Sequence, residues 1–366
     1  MICKITKKKL KPFMTFGKMP IANGFLKKKY FKKEYFFEME VGFSKKVSLF
    51  QLNNHPKPKM MFNENYPFFT GSSKGMINHF KNYAGWIKRN YLKKNYNLIE
   101  IGSNDGTFLN NFKNSKIKTL GIEPSSNVAN VSKAKGIKTI NNFFTYENVK
   151  KIKSLKNKTD IICAANVVCH VPNLTDLIRG VNHLLNDNGL FIFEEPYLGS
   201  MYKKTSYDQI YDEHIFMFSV NSIKKVFKLF NFELINVIPQ KTHGGSMRYV
   251  VGRLGKHKIN NNVLKLLKDE KKKKIDSIQG CLNFKKKCEI SKKKLNKKVE
   301  SILKKGKNIA GYAATSKSTT ILNYCGINHK HIDFICDTTP NKINSFSPGT
   351  HIPIVSVDYY KKNIPD

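Results

Sequence analysis

The sequence predicts an α/β fold built around a doubly wound, parallel sheet. Short apolar runs at residues 98–101, 118–122, 160–164 and 189–194 alternate with helical segments. That alternation is typical of βαβ units whose sheet is covered on both faces. The first run also ends in a glycine-rich turn, and open sheets of this kind bind ligands at the carboxyl ends of their strands. A chain of 366 residues is long enough for two or three domains.

The remaining elements flank this central part. Short apolar runs between lysine clusters in residues 1–75 predict a small β-rich module. Apolar side chains recur at helical spacing from residue 76 to about 95 and predict a helix that leads into the next domain. Residues 262–307 predict one or two lysine-rich amphipathic helices, a nucleic-acid-binding arm being the alternative. After them, strands near 308–312 and 331–337 around a helix at 316–324 predict a second α/β unit. The expected domains are therefore 1–75, 76–250 and 251–366.

The charge is strongly basic, because 65 Lys and Arg stand against 26 Asp and Glu. Only four of the basic residues are arginines, whereas proteins that read nucleic acids favour the planar guanidinium. We therefore attribute the charge to compositional drift and expect no specific nucleic-acid partner. The sequence has no apolar run of about 18 residues, no secretory signal pattern and seven scattered cysteines. These features predict a soluble cytoplasmic protein with no membrane partner.

The glycine-rich turn predicts a nucleoside cofactor. Gly102 and Gly106 allow a tight turn, and a helix predicted from residue 107 would present N–H groups to a ligand. The spacing lacks the third glycine of dinucleotide-binding turns, which disfavours NAD. Glu123 follows Gly102 by 21 residues, at the end of the next strand, where an acid binds ribose hydroxyls. Together they indicate S-adenosylmethionine, the alternative being a simple turn with a helix-capping glutamate.

A cluster of ionisable residues at 207–214 predicts proton abstraction. A neutral imidazole such as that of His214 can take a proton near pH 7, and a phenol such as that of Tyr211 can donate to an oxyanion. His170 follows a strand, and the segment from His243 to Arg248 suits an anionic substrate. A structural histidine on a polar loop is the alternative for His214. No His or Cys pair has zinc spacing, so these residues predict no metal.

With these segments identified, the chain resembles the sugar-nucleotide C-methyltransferases of deoxysugar biosynthesis, of the 3-C-methyltransferase type. The resemblance runs nearly end to end, in blocks at 20–23, 51–52, 71–73, 100–106, 121–129, 166–172, 210–214, 243–248, 311–317 and 348–354. It implies a Rossmann-like methyltransferase domain that uses S-adenosylmethionine, a small N-terminal module and a C-terminal α/β domain. The implied substrate is a nucleotide-linked 4-keto sugar, methylated on carbon through an enolate.

The resemblance also assigns roles to residues of this sequence. The implied catalytic residues are His214 as the base, with Glu213, Tyr211, His170 and Tyr66 around it. The implied cofactor-binding residues are Glu100, Gly102, Asn104, Asp105, Gly106, Glu123, Asn127 and Asn166. The implied substrate-binding residues are His243, Arg248 and Lys317.

The sequence departs from the family pattern at the N-terminal zinc module. The family has two Cys-x-x-Cys pairs there, whereas this chain has Cys3 with Thr6, and Ser44 with Val47. A single thiolate cannot supply a tetrahedral zinc site, so we expect no zinc. The chain also ends soon after the last block, which indicates a shortened C-terminal domain. Two alternatives follow: a methyltransferase acting on RNA or another small molecule, and a degenerate, non-catalytic binding protein.

Overall fold

The computed structural model describes residues 1–92, 95–113 and 115–365. The strands in chain order are β1 (Pro12–Pro20), β2 (Phe36–Ser44), β3 (Leu49–Leu52), β4 (Asn97–Ile101), β5 (Lys118–Ile122), β6 (Thr139–Ile140), β7 (Thr159–Ala165), β8 (Leu185–Pro196), β9 (Phe216–Met217), β10 (Phe232–Gln240), β11 (Ser246–Arg253), β12 (Ala310–Tyr312), β13 (Phe334–Cys336) and β14 (Ile354–Val355). The helices are α1 (Pro58–Met61), α2 (Lys74–Asn90), α3 (Ser126–Ala134), α4 (Tyr146–Val149), α5 (Leu174–Leu184), α6 (Leu198–Lys204), α7 (Val220–Lys228), α8 (Asn261–Lys272), α9 (Ile278–Leu303), α10 (Ser316–Cys325) and α11 (Val357–Lys362).

The central sheet has seven strands in the order β10-β11-β8-β7-β4-β5-β6. Strands β8, β7, β4, β5 and β6 are parallel, which confirms the predicted α/β class. Strands β10 and β11 were not predicted, and they extend the sheet with antiparallel pairs. The apolar runs become strands because both faces are covered: Ile99 and Ile101 pack in one core cluster, and Leu98 packs in another.

The segment after the glycine-rich turn differs from the prediction. A helix was expected from residue 107, but the chain forms only a short 3₁₀ turn at Leu109–Phe112. Leu109 and Phe112 are buried there beneath α2. Helix α2 itself is the helix predicted from residue 76, begins after its N-cap Ser73 and ends at Asn90; residues 93 and 94 of that prediction lie outside the described part.

The N-terminal part forms a four-stranded sheet in the order β1-β2-β3-β9. Its first three strands confirm the expected β-rich character. The fourth, β9, comes from the central part of the chain and pairs Phe216 with Gln51. The N-terminal strands therefore pack directly against the segment that carries the residues predicted for catalysis.

The C-terminal part contains helices α8 and α9 and a three-stranded parallel sheet, β12-β13-β14. Helix α9 buries Cys281, Phe284, Cys288 and Val299 and leaves its lysines outside, as the amphipathic pattern predicts. The domain limits near residues 75 and 250 stay a prediction. Within the described ranges, no helix combines the length and apolar character that crossing a membrane requires.

Candidate active site

The turn after β4 has the backbone that its glycines predict. Gly102 and Gly106 have φ values of +67° and +76°, and Asn104 between them has φ of +48°. A Cβ atom built on Gly102 would lie 2.4 Å from Cγ2 of Val167, so only glycine fits there without a shift. The backbone N–H of Asn104 donates to Oε2 of Glu123 over 2.9 Å and ties the turn to the end of β5.

A large cavity lies where β4, β5 and β7 end. Its volume is about 1220 Å³, and three parts of the chain form its walls: residues 55–72, the strand ends of the central sheet, and residues 315–342. Most of the predicted site residues line it. These are Tyr66, Glu100, Gly102, Asn104, Glu123, Asn166, His170, Tyr211, Glu213, His214, His243 and Lys317.

Three of the residues predicted to bind the cofactor do not line this cavity. Oδ2 of Asp105 accepts the backbone N–H of Gly71 over 2.9 Å, and Gly106 is packed against Ser132. Asn127 donates from Nδ2 to the backbone oxygen of Tyr66 over 2.8 Å. Asp105 and Asn127 are occupied because the segment at residues 66–71 bonds to their side chains, whereas Gly106 is covered by the side chains of Ser132 and Ile137. Sequence spacing cannot reveal these contacts.

The part of the cavity next to the turn after β4 contains several buried polar oxygens. Oε2 of Glu100 and Oδ1 of Asn166 are buried and have no hydrogen-bond partner among the described residues. Burial raises the pKa of Glu100 well above its usual range, and the negative charges of Glu123 and Asp105 raise it further. Glu123 accepts the N–H groups of Asn104 and Ser125, and its oxygens retain further lone pairs. These acceptors fit the hydroxyl and amino donors of S-adenosylmethionine.

His214 has a defined tautomer. Its Nδ1 lies 2.7 Å from the backbone oxygen of Gln209, which can only accept, so Nδ1 carries the proton. Nε2 is then the basic nitrogen, and it accepts the Tyr211 hydroxyl over 2.9 Å. The ring is 4 % exposed, and burial lowers its pKa well below the ordinary value, with His170 adding to the effect. The imidazole is therefore neutral, with Nε2 available as a base.

Two more neutral imidazoles lie beside it. The His170 ring stacks on that of His214 at 5.2 Å, and its Nε2 is buried without a partner among the described residues. Burial lowers the pKa of His170 to about 3, and His243 contributes to the shift. Burial, followed by the charge of Lys317, lowers the pKa of His243 to about 4. The ring of Phe62 stacks on His170 at 5.7 Å, a contact that the sequence analysis missed.

The two adjacent carboxyls, Asp212 and Glu213, are held by the N-terminal part. The backbone N–H of Ala22 donates to Oδ1 of Asp212 over 3.0 Å, and Nδ2 of Asn23 donates to Oε1 of Glu213 over 2.7 Å. Burial raises the pKa of both carboxyls, and for Asp212 the neighbouring Glu213 adds to it. Asn23 lines the cavity but was not predicted as a site residue, although it belongs to a block of the resemblance.

Arg248, predicted to bind substrate, does not line the cavity. Its Nε donates to Oε1 of Glu194 over 2.7 Å, and its guanidinium lies 4.0 Å from the ring centre of Tyr83 and 4.5 Å from that of Trp86. The guanidinium of Arg248 is held against the sheet by the opposite charge of Glu194, which lies 54 positions earlier in the chain. Lys317, by contrast, lines the cavity, and burial lowers its pKa.

The N-terminal part does not offer a zinc donor set. Cys3 is fully buried, its Sγ accepts the backbone N–H of Thr6 over 3.3 Å, and it packs in one apolar cluster with Val47 and Leu49. Ser44, at the third of the four positions, is also buried. One sulfur with two hydroxyls and an isopropyl group does not fit a tetrahedral site, which takes four nitrogen, sulfur or carboxylate ligands.

One group of possible metal ligands does occur in the described part of the chain. Atoms of Cys169, His170 and His214 lie within 4.8 Å of one another. We assign no metal to them, because both ring nitrogens of His214 already have hydrogen-bond partners. Burial also raises the pKa of the Cys169 thiol well above its ordinary value, which opposes the thiolate that a metal requires.

Comparisons with known proteins show which families and relatives the chain is similar to. A family model described as a methyltransferase domain matches residues 76–237, and one described as a C-methyltransferase C-terminal domain matches residues 241–366. A third, described as a zinc binding domain, matches residues 3–62. C-methyltransferase NovU from Streptomyces niveus is 27 % identical over 356 residues, which cover 96 % of this chain and 84 % of the relative.

Similar solved structures cover about half of the chain. The PH0226 protein from Pyrococcus horikoshii matches with a TM-score of 0.41 and 13 % identity, over 51 % of this chain and 94 % of that one. Magnesium protoporphyrin IX methyltransferase from Synechocystis, with bound SAH, matches with a TM-score of 0.39 and 12 % identity, over 49 % of this chain and 84 % of that one.

The fold and the family models define an enzyme of the class of S-adenosylmethionine-dependent methyltransferases. More narrowly, the C-terminal domain model and the similarity to NovU support a C-methyltransferase within this class.

Proposed function

We propose that this C-methyltransferase methylates a carbon next to the carbonyl of a nucleotide-linked 4-keto sugar. The observation that carries the proposal is the state of His214 at the cavity wall. A neutral imidazole with its proton fixed on Nδ1 directs the basic Nε2 lone pair away from the protein backbone. Such a group is suited to remove a proton from a carbon acid.

The proposed first step is proton transfer from the sugar carbon to Nε2 of His214. The electron pair of the broken C–H bond forms the enolate double bond, and the carbonyl electrons move to oxygen. The Tyr211 hydroxyl, which donates to Nε2 in the free enzyme, turns to the enolate oxygen when the substrate takes its place. Burial keeps the pKa of Tyr211 well above 10, and nearby Glu213 raises it further, so the phenol stays a donor.

Tyr66 is the second phenol of the site. Burial, with Glu213 as the next contribution, raises its pKa well above the ordinary range, so it too remains protonated. We assign Tyr66 and His170 to the stabilisation of enolate charge, and Glu213 to keeping both phenols neutral. S-Adenosylmethionine, when bound, supplies a methyl group on a positively charged sulfur, which the enolate carbon can accept. Glu100, Glu123, Asn104 and Asn166 are the residues proposed to hold it.

The substrate end of the cavity is proposed to lie between the central sheet and the C-terminal part. Lys317 and His243 face it from the two sides, and Lys342 lines it further out. A half-buried ammonium group suits the phosphates of a nucleotide-linked sugar. No zinc takes part in this proposal, and the N-terminal part serves to position Asp212 and Glu213.

The test is an incubation with labelled S-adenosylmethionine and a panel of nucleotide-linked 4-keto sugars, read by mass. Methylated sugar is the expected result. If the purified protein does not bind the cofactor at near-millimolar concentration, the degenerate binding protein is favoured instead. A salt-sensitive, micromolar complex with structured RNA, together with label in the RNA, would favour the RNA methyltransferase.

The role of His214 is tested by His214→Ala. We expect the variant to bind S-adenosylmethionine with unchanged affinity, and to lose both methyl transfer and solvent hydrogen exchange at the sugar carbon, by roughly 10²-fold or more. The matched control is His183→Ala, because His183 lies outside the cavity. Retention of exchange in His214→Ala would remove this imidazole from the proton transfer.

A further inference from the structure

The turn that follows β7 is built around a buried carboxylate that the proposed mechanism does not use. Glu195, near the end of β8, is fully buried. Its Oε1 accepts the backbone N–H groups of Val167 and Val168 over 3.0 and 2.7 Å. Its Oε2 has no nitrogen or oxygen partner among the described residues, the Cys169 thiol interacts with the carboxyl, and the side chain does not line the cavity. The contacts of this carboxylate therefore fix the backbone of the turn at Val167 and Val168.

Two residues of the candidate site flank that turn. Asn166 precedes it with φ of +55°, and its Nδ2 lies 3.0 Å from Nε2 of His243. His170 follows it, with its ring stacked on His214 at 5.2 Å and 27° between the ring planes. The backbone N–H of Asn166 also donates to the backbone oxygen of Glu194 over 2.8 Å, so the end of β8 holds the chain both at Asn166 and at Val167 and Val168.

We propose that Glu195 is a positioning residue that sets the place of Asn166 and of the His170 ring against His214. The inference rests on the proposed function, in which these rings surround the enolate. Glu195 acts by accepting two backbone hydrogen bonds at a distance from the strand that its side-chain length fixes, and it touches neither substrate nor cofactor. A displacement of about 1 Å in such a site can cost about 10²-fold in rate.

Two substitutions distinguish the effect of the length of the Glu195 side chain from the effect of its negative charge. Glu195→Gln keeps an acceptor oxygen at the same reach and removes the charge, whereas Glu195→Asp keeps the charge and shortens the reach by one methylene. Positioning predicts that kcat for methyl transfer falls at least tenfold in Glu195→Asp and less than threefold in Glu195→Gln, an order-of-magnitude expectation. A role of the negative charge predicts the reverse order, and that result would overturn the proposal.

Glu270 provides a matched control. It is also fully buried and accepts the backbone N–H groups of Val220 and Asn221, but it lies away from the cavity. Glu270→Asp and Glu270→Gln should lower Tm about as much as the corresponding changes at Glu195 while leaving kcat unchanged. If kcat falls equally in Glu195→Asp and Glu270→Asp, Glu195 has only a structural role.

A readout without substrate keeps this inference distinct from the proposed function. The imidazole ¹⁵N resonances of His170 should shift in Glu195→Asp and stay in place in Glu195→Gln and in both Glu270 variants. Unshifted His170 resonances in Glu195→Asp would refute the positioning role. If the wild-type protein methylates no keto sugar while the His170 resonances shift as expected, the proposed substrate is wrong and the positioning role of Glu195 stands.

Discussion

Burial decides the charge of the side chains around the cavity. Three imidazoles, those of His170, His214 and His243, have their pKa lowered because the protonated form loses its hydration. The same desolvation raises the pKa of Glu100 and Glu213. A site with neutral bases and partly neutral acids can move protons within an apolar space without forming uncompensated charge.

The first prediction at this scale concerns the tautomer of His214. A pKa lowered by burial means that the imidazole stays neutral above the lowered value, so His170, His214 and His243 should not titrate between pH 5.5 and 8. Imidazole ¹⁵N resonances should show His214 protonated on Nδ1 throughout this range. A His214 titration near pH 6.5 would contradict the geometry.

The second prediction concerns Gly102. Gly102→Ala combines a strained φ of +67° with a Cβ 2.4 Å from Val167, so we expect loss of S-adenosylmethionine affinity by at least about tenfold together with destabilisation. Gly306→Ala is the control, because its φ of +70° is equally strained but no atom lies within 4 Å. Equal effects in the two variants on cofactor affinity, measured by calorimetry, would exclude close packing at Gly102 as the cause.

The elements that form the site differ in how well the sequence predicts them. Strands β4 and β5 were expected almost to the residue, because apolar runs bounded by Gly and Pro are strong local signals. The antiparallel pair β10 and β11 was missed, although only residues 241–245 separate the two strands; the pairing of β11 with β8, by contrast, joins segments distant in sequence. Contacts such as Arg248 with Glu194, and Asp105 with Gly71, join segments distant in sequence and follow from packing alone.

Most of the candidate cluster could nevertheless be predicted from sequence. His214, Tyr211 and Glu213 lie within four positions, so local sequence brings them together. His170 was expected from its place after a strand and Tyr66 through the resemblance, and both line the same cavity. Glu195 could not be predicted, because its two hydrogen-bond donors are backbone groups that carry no sequence signal.

The prediction at the element scale concerns the loops at Cys3 and Ser44. We expect wild-type protein without stoichiometric zinc and with a Tm unaffected by chelators. The triple variant Thr6→Cys, Ser44→Cys, Val47→Cys completes a four-sulfur set with Cys3 and should bind one zinc per chain, with a Tm that falls on chelation. Metal analysis that finds one tightly bound zinc in the wild-type protein would contradict the apolar arrangement.

At the scale of the whole molecule, buried carboxyls connect different parts of the chain. Glu270 on α8 accepts the first N–H groups of α7 and the Tyr197 hydroxyl, which lies just after β8. Asp212 and Glu213 likewise receive donors from Ala22 and Asn23. These contacts join the N-terminal, central and C-terminal parts through carboxyl groups whose ionisation is disfavoured by burial.

The prediction at this scale is a dependence of stability on pH. Burial raises the pKa of Glu270 to about 7, from 4.5 in the unfolded chain. Between these values the folded state holds the proton that the unfolded state has lost, so this group's contribution to the free energy of unfolding falls as pH rises from about 4.5 to 7. Glu270→Gln removes that contribution, so the Tm difference between wild type and variant should change across this window. A Tm difference between wild type and Glu270→Gln that stays constant from pH 4.5 to 8 would refute the raised pKa of Glu270.

Strand β9 begins two residues after His214 and pairs with β3, and the backbone oxygen of Ile215 accepts the N–H of Leu52 over 2.8 Å. The segment that carries His214 is thus hydrogen-bonded to the N-terminal sheet directly after the imidazole. Exchanging the N-terminal part between related enzymes would therefore change the orientation of the His214 imidazole. A variant without the N-terminal part should retain the pocket expected for the nucleoside but hold His214 in the wrong orientation.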